Sequence, residues 1–183
     1  MKLIENDGYE IKVSDEAFLI RPIRELYEKD RSKRKEQFFR QMSYLFFMVD
    51  PRSTYMYLTD EKARAKEIKL QEGFGESWEP SELLKEAMDI YKKHTTTTTS
   101  ILLESMRKGI DNLSSFFSSV DLLATDEKGR PLYQVSSFTT ALKQIPELSK
   151  AFFDAERSLA KEFEDTNSQA RGSREKSLYE DTI

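Results

Sequence analysis

The apolar positions between residues 101 and 120 recur with the period of an α-helix. They are separated by 3, 4, 3, 4 and 3 residues: Leu103, Met106, Ile110, Leu113, Phe117 and Val120. This spacing places the apolar side chains on one face, while charged and small polar residues take the other. It predicts a helix that packs along its whole length against other helices.

A second long helix is predicted from Ser136 or Ser137, with Phe138, Leu142, Ile145, Phe152, Ala155 and Leu159 on its inner face. Pro146 is expected to divide it, because proline removes a helical hydrogen bond. The intervening residues 126–131 indicate a turn, since Gly129 tolerates positive φ and Pro131 bars helix. A short connection predicts an antiparallel αα-hairpin over about 100–123 and 137–163.

Shorter helices are predicted upstream by apolar spacing and by capping residues, over residues 22–30, 33–49, 61–72 and from Pro80-Ser81 onward. Asp50-Pro51 should stop the second, and Gly73 the third. The run Thr95 to Thr99 is a poor helix former, so we expect a break there, with one of Thr97 to Ser100 capping the long helix. The run also has the composition of a linker.

The helix over 33–49 is apolar nearly all round toward its end, at Phe38, Tyr44, Phe47 and Met48. Such a helix is either central in its own bundle or covered by a neighbouring subunit. On the second interpretation these four residues form an oligomer interface.

The two ends of the chain follow different patterns. Residues 1–13 alternate loosely around Asp7-Gly8, which indicates a small hairpin or an extended arm. Residues 165–183 are mostly polar and hold Leu178 and Tyr179 in a polar setting. They predict either an extended tail that orders on a partner or a frayed end. The fold class is therefore all-α: an elongated helical bundle over 14–164 with an arm at each end.

Composition narrows the function classes. The chain has 183 residues, 34% of them charged, and a net charge of −4, which argues against general affinity for nucleic acid or anionic membranes. There is no cysteine, which excludes disulfides and thiolate chemistry and fits a reducing compartment. No apolar run is long enough to span a bilayer, and the N-terminus has no signal-peptide pattern. Use in the cytosol, or in a particle assembled there, is expected.

Candidate chemistry is sparse. The single His94 has no obvious metal-binding or catalytic partners, and the glycines form no nucleotide-binding motif. The sequence predicts no catalytic residue, cofactor or metal site, and the protein is not expected to be an enzyme. The basic cluster Arg31, Lys33, Arg34 and Lys35 is either a solvated face or a contact for an acidic partner or phosphate.

Several segments, in order, resemble helical structural proteins of tailed bacteriophages, especially the crAss-like phages of gut Bacteroidetes. They are the Thr-rich entry, then SILLESMRKGIDNLSSFFSSVDL, the turn TDEKGRPLY, SSFTTALKQIPELSKAF and the ending RGSREKSLYED. Upstream, Pro51 to Tyr55 followed by LTDEKARAKEI belongs to the same pattern.

The resemblance implies a virion protein, made in the host cytoplasm: a head–tail connector or a neck or tail ring protein. Its partners would be about twelve copies of itself, the portal and neighbouring neck or tail proteins. DNA would pass through the lumen without specific binding, and no membrane would be involved. The tail is predicted to dock on a partner through Arg171, Gly172, Arg174, Leu178 and Tyr179.

Three other functions remain open at this point. An internal scaffold or DNA-packaging factor, similar to a small terminase, would need a DNA-binding site, and only the basic cluster suggests one. A helical hydrolase would need a catalytic set that no motif marks. A non-virion, host-directed adaptor would capture a single partner through the tail.

Overall fold

The computed structural model describes residues 3–8, 10–75 and 77–171, with side chains up to residue 165. Within these residues the chain forms six α-helices and one two-stranded sheet, which makes it an all-α protein. The chain divides into two compact units, Met1–Thr96 with Ala160–Ile183, and Thr97–Leu159. We call the described residues of the first unit the core domain and the second unit the hairpin.

The core domain begins with a small β-hairpin, one of the two structures predicted for residues 1–13. Strands β1 (Ile4–Asn6) and β2 (Ile11–Val13) pair antiparallel, with Ile4 opposite Val13. Gly8, at φ 90°, supplies the positive φ that the connecting turn needs. Ile4 is fully buried, so the strands contribute to the hydrophobic core.

Four helices build the rest of the core domain: α1 (Arg21–Lys29), α2 (Glu36–Val49), α3 (Glu61–Gln71) and α4 (Glu82–Thr95). A 3-10 turn, Asp15–Leu19, precedes α1, and another, Thr54–Tyr57, follows α2. Helix α2 packs against α3 and α4, while α1 packs against α4. The central side chains of this core, all fully buried, are Ile23, Phe38, Met42, Leu45, Ile68, Leu84 and Tyr91.

Helix α2 begins three residues later than predicted, because residues 33–35 form a 3-10 turn. Arg34 and Lys35 have φ values of 59° and 60°, a left-handed conformation that costs about 1–3 kcal/mol per residue outside glycine. The buried Asp30 holds this turn: its carboxylate accepts hydrogen bonds from the backbone N–H of Ser32 and of Phe38. Burial opposes its charge, but these hydrogen bonds prevail and lower the pKa of Asp30.

The next two helices begin at side-chain caps. Of the two candidates Thr59 and Asp60 for the start of α3, Asp60 is the cap. Asp60 accepts hydrogen bonds from the backbone N–H of Lys62 and Ala63 at the start of α3, and Gly73 follows its end with φ 67°. Ser81 caps α4 by accepting from Leu84. Local sequence therefore determines where these two helices begin.

The hairpin contains α5 (Thr98–Ser119), which begins inside the threonine run as predicted. Thr97 is its N-cap, and its side chain and that of Ser100 satisfy each other's backbone N–H groups. The following turn has Gly129 at φ 74° and a bridge between Thr125 and Pro131. Five threonines thus mark a helix boundary, because the hydroxyl group of one of them replaces a missing helical partner.

Helix α6 runs unbroken from Val135 to Arg171, so the prediction that Pro146 divides it is wrong. Proline removes one backbone donor, whereas the apolar positions Leu142, Ile145 and Leu148 keep one helical phase across it. The predicted extended tail from residue 165 is also wrong up to Arg171, where the backbone is helical.

Candidate functional site

The hairpin is the candidate site, because two long helices there share one apolar seam. The Arg107 guanidinium of α5 is 3.1 Å from a carboxylate oxygen of Glu156 on α6, and the rings of Phe117 and Phe138 lie 5.1 Å apart. As the residue number rises along α5, the contacted number falls along α6, as in an antiparallel pair. Seven-residue steps from Phe117 and from Phe138 define a seam. It consists of Leu103, Ile110 and Phe117 on α5, and of Phe138, Ile145 and Phe152 on α6.

The middle of the seam stays open to solvent. Ile110 is 39% exposed and Ile145 40%, and their neighbours Leu113 and Leu148 are 37% and 43% exposed, whereas Leu103 is buried. Two helices shield a shared stripe from one side only, so each side chain keeps part of its surface in water. Within the hairpin this apolar face therefore remains only partly covered.

Charge is absent from the half of the hairpin nearest the turn. Neither residues 112–120 nor residues 131–142 contain a charged residue, although 34% of the chain is charged. Phe116 is 42% exposed and Val135 61% exposed in these stretches. Depletion of charge together with exposed aromatic and aliphatic side chains is typical of the centre of protein–protein interfaces.

The predicted oligomer interface on α2 has a different environment. Phe38 and Tyr44 are buried in the core of their own domain, at 0% and 2% exposure. Phe47 and Met48 are half-buried and pack against the same core. The central position of α2 accounts for these four apolar residues, and no exposed surface of Phe38 or Tyr44 is left for a neighbouring subunit.

The predicted tail site lies almost wholly outside the described residues. Arg171 is the last residue of α6, and only its backbone is described. Gly172, Arg174, Leu178 and Tyr179 lie beyond the described part of the chain. Docking through this tail stays a prediction.

A buried charge cluster in the core domain was missed by the sequence reasoning, which treated Asp50 only as a helix stop. Asp50 is fully buried, and the Arg52 guanidinium donates to both its carboxylate oxygens, at 2.8 and 2.6 Å. The Tyr91 hydroxyl donates to the same carboxylate at 2.5 Å. The available signal was an arginine two residues after an aspartate at a helix end, with Tyr91 on the inner face of α4.

Burial and the neighbouring charges shift the pKa values of this cluster. Burial raises the pKa of Tyr91, and the neighbouring Asp50 carboxylate raises it further, so the phenol remains a hydrogen-bond donor. Burial works against the charge of Arg52, but its bonds to Asp50 outweigh this and raise its pKa. Arg52 also donates to the Ile4 carbonyl and lies 4.8 Å from the ring of Phe163. The cluster therefore ties β1, α2 and α4 together.

A shallow groove beside α2 is lined by aromatic residues. Trp78 stacks on Phe74 with ring centroids 4.0 Å apart and contacts Tyr44 at 4.9 Å, as expected of a packing anchor. Arg40 lies over the Phe74 ring and donates to the carbonyls of Glu72 and Gly73. The cation at this groove is thus already engaged in holding the α3–α4 connection.

The basic cluster before α2 is partly engaged as well. The Lys35 ammonium donates to the carbonyls of Tyr27 and Asp30, while Arg31, Lys33 and Arg34 are exposed. In the described part of the chain no three His, Cys, Asp or Glu side chains come together as a metal site needs. None of the described helices is long and apolar enough to cross a lipid bilayer.

The fold and the open hairpin define the class: an all-α protein that combines a well-packed core domain with a two-helix hairpin of largely exposed apolar residues. No protein-family model matches the chain, and no curated protein or solved structure is significantly similar to it. The hairpin geometry therefore carries the argument for function.

Proposed function

We propose that this protein is a structural component that assembles with copies of itself through the hairpin. More specifically, we propose that the protein is a head–tail connector or a neck or tail ring protein of a tailed-phage virion. The observation that supports self-assembly is the open seam between α5 and α6. The virion role rests in addition on the sequence resemblance.

The energetic argument starts from the half-exposed seam. Complete burial of a Leu, Ile or Phe side chain contributes about 1.5–3 kcal/mol. Covering the exposed 37–43% of Ile110, Leu113, Ile145 and Leu148 therefore contributes roughly 1 kcal/mol each. A dozen such side chains on the hairpin offer enough apolar surface to offset the entropic cost of association. Additional helices from other copies would complete the seam as in a multi-helix bundle.

The division of the chain suits a mechanical role. The core domain is held by its own apolar core and by the Asp50–Arg52–Tyr91 cluster, so it can keep its shape under load. The hairpin presents uncharged surface for lateral contacts, and the tail beyond Arg171 is available for the next ring. In this proposal DNA passes the assembled ring without specific contacts.

Mass photometry over a wide concentration range, followed by negative-stain electron microscopy, tests the proposal. We expect a discrete species much larger than the 21.4 kDa chain, with ring-shaped particles. A monomer at every concentration, both alone and with portal protein, would contradict self-assembly. Removal of residues 172–183 should leave the rings intact and abolish portal binding, which separates the role of the tail from that of the hairpin.

The DNA-packaging alternative is favoured by one observation, the exposed Arg31, Lys33 and Arg34 on a loop held in a strained conformation. Phosphate contacts by three cations would make affinity for duplex DNA fall steeply with salt. The logarithm of the association constant would fall with the logarithm of the salt concentration with a slope of about −2.7. Fluorescence anisotropy with a labelled duplex at several salt concentrations measures this slope. Binding that disappears in Arg31→Ala/Arg34→Ala would favour packaging over a connector.

A further inference from the structure

One flank of α5 carries an exposed stripe with a gap in its middle. Leu102, Gly109 and Phe116 are seven residues apart, each one residue before a seam residue. Leu102 is 53% exposed and Phe116 42%, and a Cβ placed on Gly109 would meet nothing within 4 Å. A glycine in the middle of a helix lowers its stability. Because glycine has no side chain, it also leaves room for another backbone to approach closely. We call these residues the α5 stripe.

One flank of α6 carries a second exposed stripe. Val135, Leu142 and Ser149 are also seven residues apart, and Phe153 lies one turn beyond. Val135 is 61% exposed, Leu142 43% and Phe153 60%, whereas Ser149 is small and half-buried. We call these four residues the α6 stripe.

The two stripes lie on opposite sides of the hairpin. Arg107 and Glu156 each follow a seam residue by four positions, and they form an ion pair, so the positions four residues after the seam share one side. The α6 stripe has the same offset, since Leu142 follows Phe138 by four. The α5 stripe precedes the seam by one residue, about 100° around the helix in the other direction.

The register of the hairpin determines which residues of the two stripes lie at the same level. Arg107 is level with Phe152 and Glu156, and Phe117 with Phe138. Steps of seven along this antiparallel register bring Phe116 level with Leu142. The same steps bring Gly109 level with Ser149, and Leu102 level with Glu156, within a turn of Phe153. A large residue therefore matches a large one at Phe116 and Leu142, and the smallest residues of the two stripes match each other.

We propose that the α5 stripe of one copy packs against the α6 stripe of the next copy, in a head-to-tail contact between hairpins that lie side by side. This rests on the proposed self-assembly and specifies its interface. The occupant is a second copy because the two sides of one hairpin match each other in level and size, Phe116 with Leu142 and Gly109 with Ser149. A two-fold contact would cover only one stripe, whereas a head-to-tail contact covers both and generates a ring or a filament.

The available area makes each contact weak. The exposed part of each stripe amounts to roughly 300 Å² of apolar surface, so the contact with its polar rim reaches about 1,000 Å² in total, the lower end for specific interfaces. In a closed ring each copy makes this contact twice. Assembly should therefore be strongly dependent on concentration.

The decisive experiment mixes two variants of the full chain in mass photometry and analytical ultracentrifugation. Leu102→Glu places a charge in the α5 stripe, and Leu142→Glu places one in the α6 stripe. Because both side chains are exposed, folding is preserved. We expect each variant alone to be monomeric and their equimolar mixture to form dimers but nothing larger, because each pair retains one intact contact. Phe116→Glu provides a second α5-stripe variant.

Ser115→Glu is the matched control, since it adds the same charge to an exposed position on the polar side of α5. It should assemble like the unmodified chain. If Leu102→Glu and Leu142→Glu still assemble alone, the stripes are not the contact, although self-assembly stands. If both are monomeric and their mixture is too, the head-to-tail geometry is overturned. If only one of them is monomeric alone and the other forms dimers, the geometry is overturned in favour of a two-fold contact through the stripe that the dimeric variant keeps intact. An unmodified chain that never assembles overturns the proposed function itself.

Discussion

The core domain and the hairpin use the same apolar spacing with different results. Phe38 on α2 is fully buried, with the rings of Phe18, Tyr27 and Phe39 within 6.0 Å. Phe153 on α6 is 60% exposed. The difference is in the number of layers: α2 contacts α3, α4 and β2 within its domain, whereas the seam of the hairpin is built by two helices.

This difference shows that the apolar face of a helix and the covering of that face are separate properties. The spacing of apolar residues predicts which face of a helix avoids water. It does not predict whether the same chain supplies enough neighbours to cover that face. The hairpin therefore has the sequence of an interior helix pair and the exposure of a surface, and the proposed self-assembly would cover that surface.

The largest effect is expected at the buried charge of the core domain. Asp50→Ala leaves the Arg52 guanidinium and the Tyr91 hydroxyl without their main partner, and should lower the free energy of unfolding by about 3–5 kcal/mol. Urea denaturation followed by circular dichroism measures the loss. Asp89→Ala on the exposed face of α4 is the control and should change stability by less than about 0.5 kcal/mol. Equal effects of the two variants would show that the cluster does not hold the domain.

A pair of identical substitutions tests the comparison directly. Phe38→Ala should destabilise the monomer by about 3–5 kcal/mol, because it opens a cavity among packed rings. Phe153→Ala removes a mostly solvated ring and should change monomer stability by less than about 0.5 kcal/mol. Only the second should weaken assembly without unfolding the chain. A large loss of monomer stability in Phe153→Ala would mean that the hairpin already has a closed core.

Local chemistry made most of the fold predictable from the sequence. Asp60 and Ser81 cap their helices, and Gly73 and Gly129 take positive φ, because each effect depends on neighbours a few residues away. The unbroken helix across Pro146 and the late start of α2 were not predictable in this way. The start of α2 depends on Asp30, eight residues before Phe38, whose N–H it accepts.

The candidate site was predictable in composition but not in exposure. The stripe from Leu103 to Val120 is visible as periodicity, yet the 39% exposure of Ile110 and the 37% exposure of Leu113 could be identified only once the two helices were placed. The Asp50–Arg52–Tyr91 cluster joins residues 41 positions apart, so spacing along the chain gives no direct sign of it. Contacts over such distances depend on the packing of whole helices.

A smaller effect is expected at Tyr91. Tyr91→Phe removes one donor to the Asp50 carboxylate while Arg52 keeps its bonds, and should cost roughly 1.5–3 kcal/mol. The pKa of Tyr91 is raised above its ordinary 10.0, so the folded state retains a proton that the unfolded state releases. The stability that the protonated Tyr91 contributes is complete below pH 10.0 and is lost as the pH rises above that value. The alkaline loss of stability should therefore be weaker in Tyr91→Phe; an unchanged alkaline slope would contradict the assignment.

The smallest change in stability is expected at Gly109, where the monomer and the assembly should respond in opposite directions. Gly109→Ala adds a methyl group in open space within α5 and should stabilise the helix by about 0.5–1 kcal/mol, because alanine loses less backbone entropy than glycine. In an assembly that brings Gly109 close to Ser149 of the next copy, the same methyl group holds the two helices apart and weakens association. Thermal unfolding of the dilute monomer gives the first effect, and the concentration dependence of assembly gives the second. Ser115→Ala, on the polar side of the same helix, should leave assembly unchanged. Assembly that is as strong in Gly109→Ala as in the unmodified chain would show that the glycine is not at a close helix contact, and that the exposed stripe serves another surface.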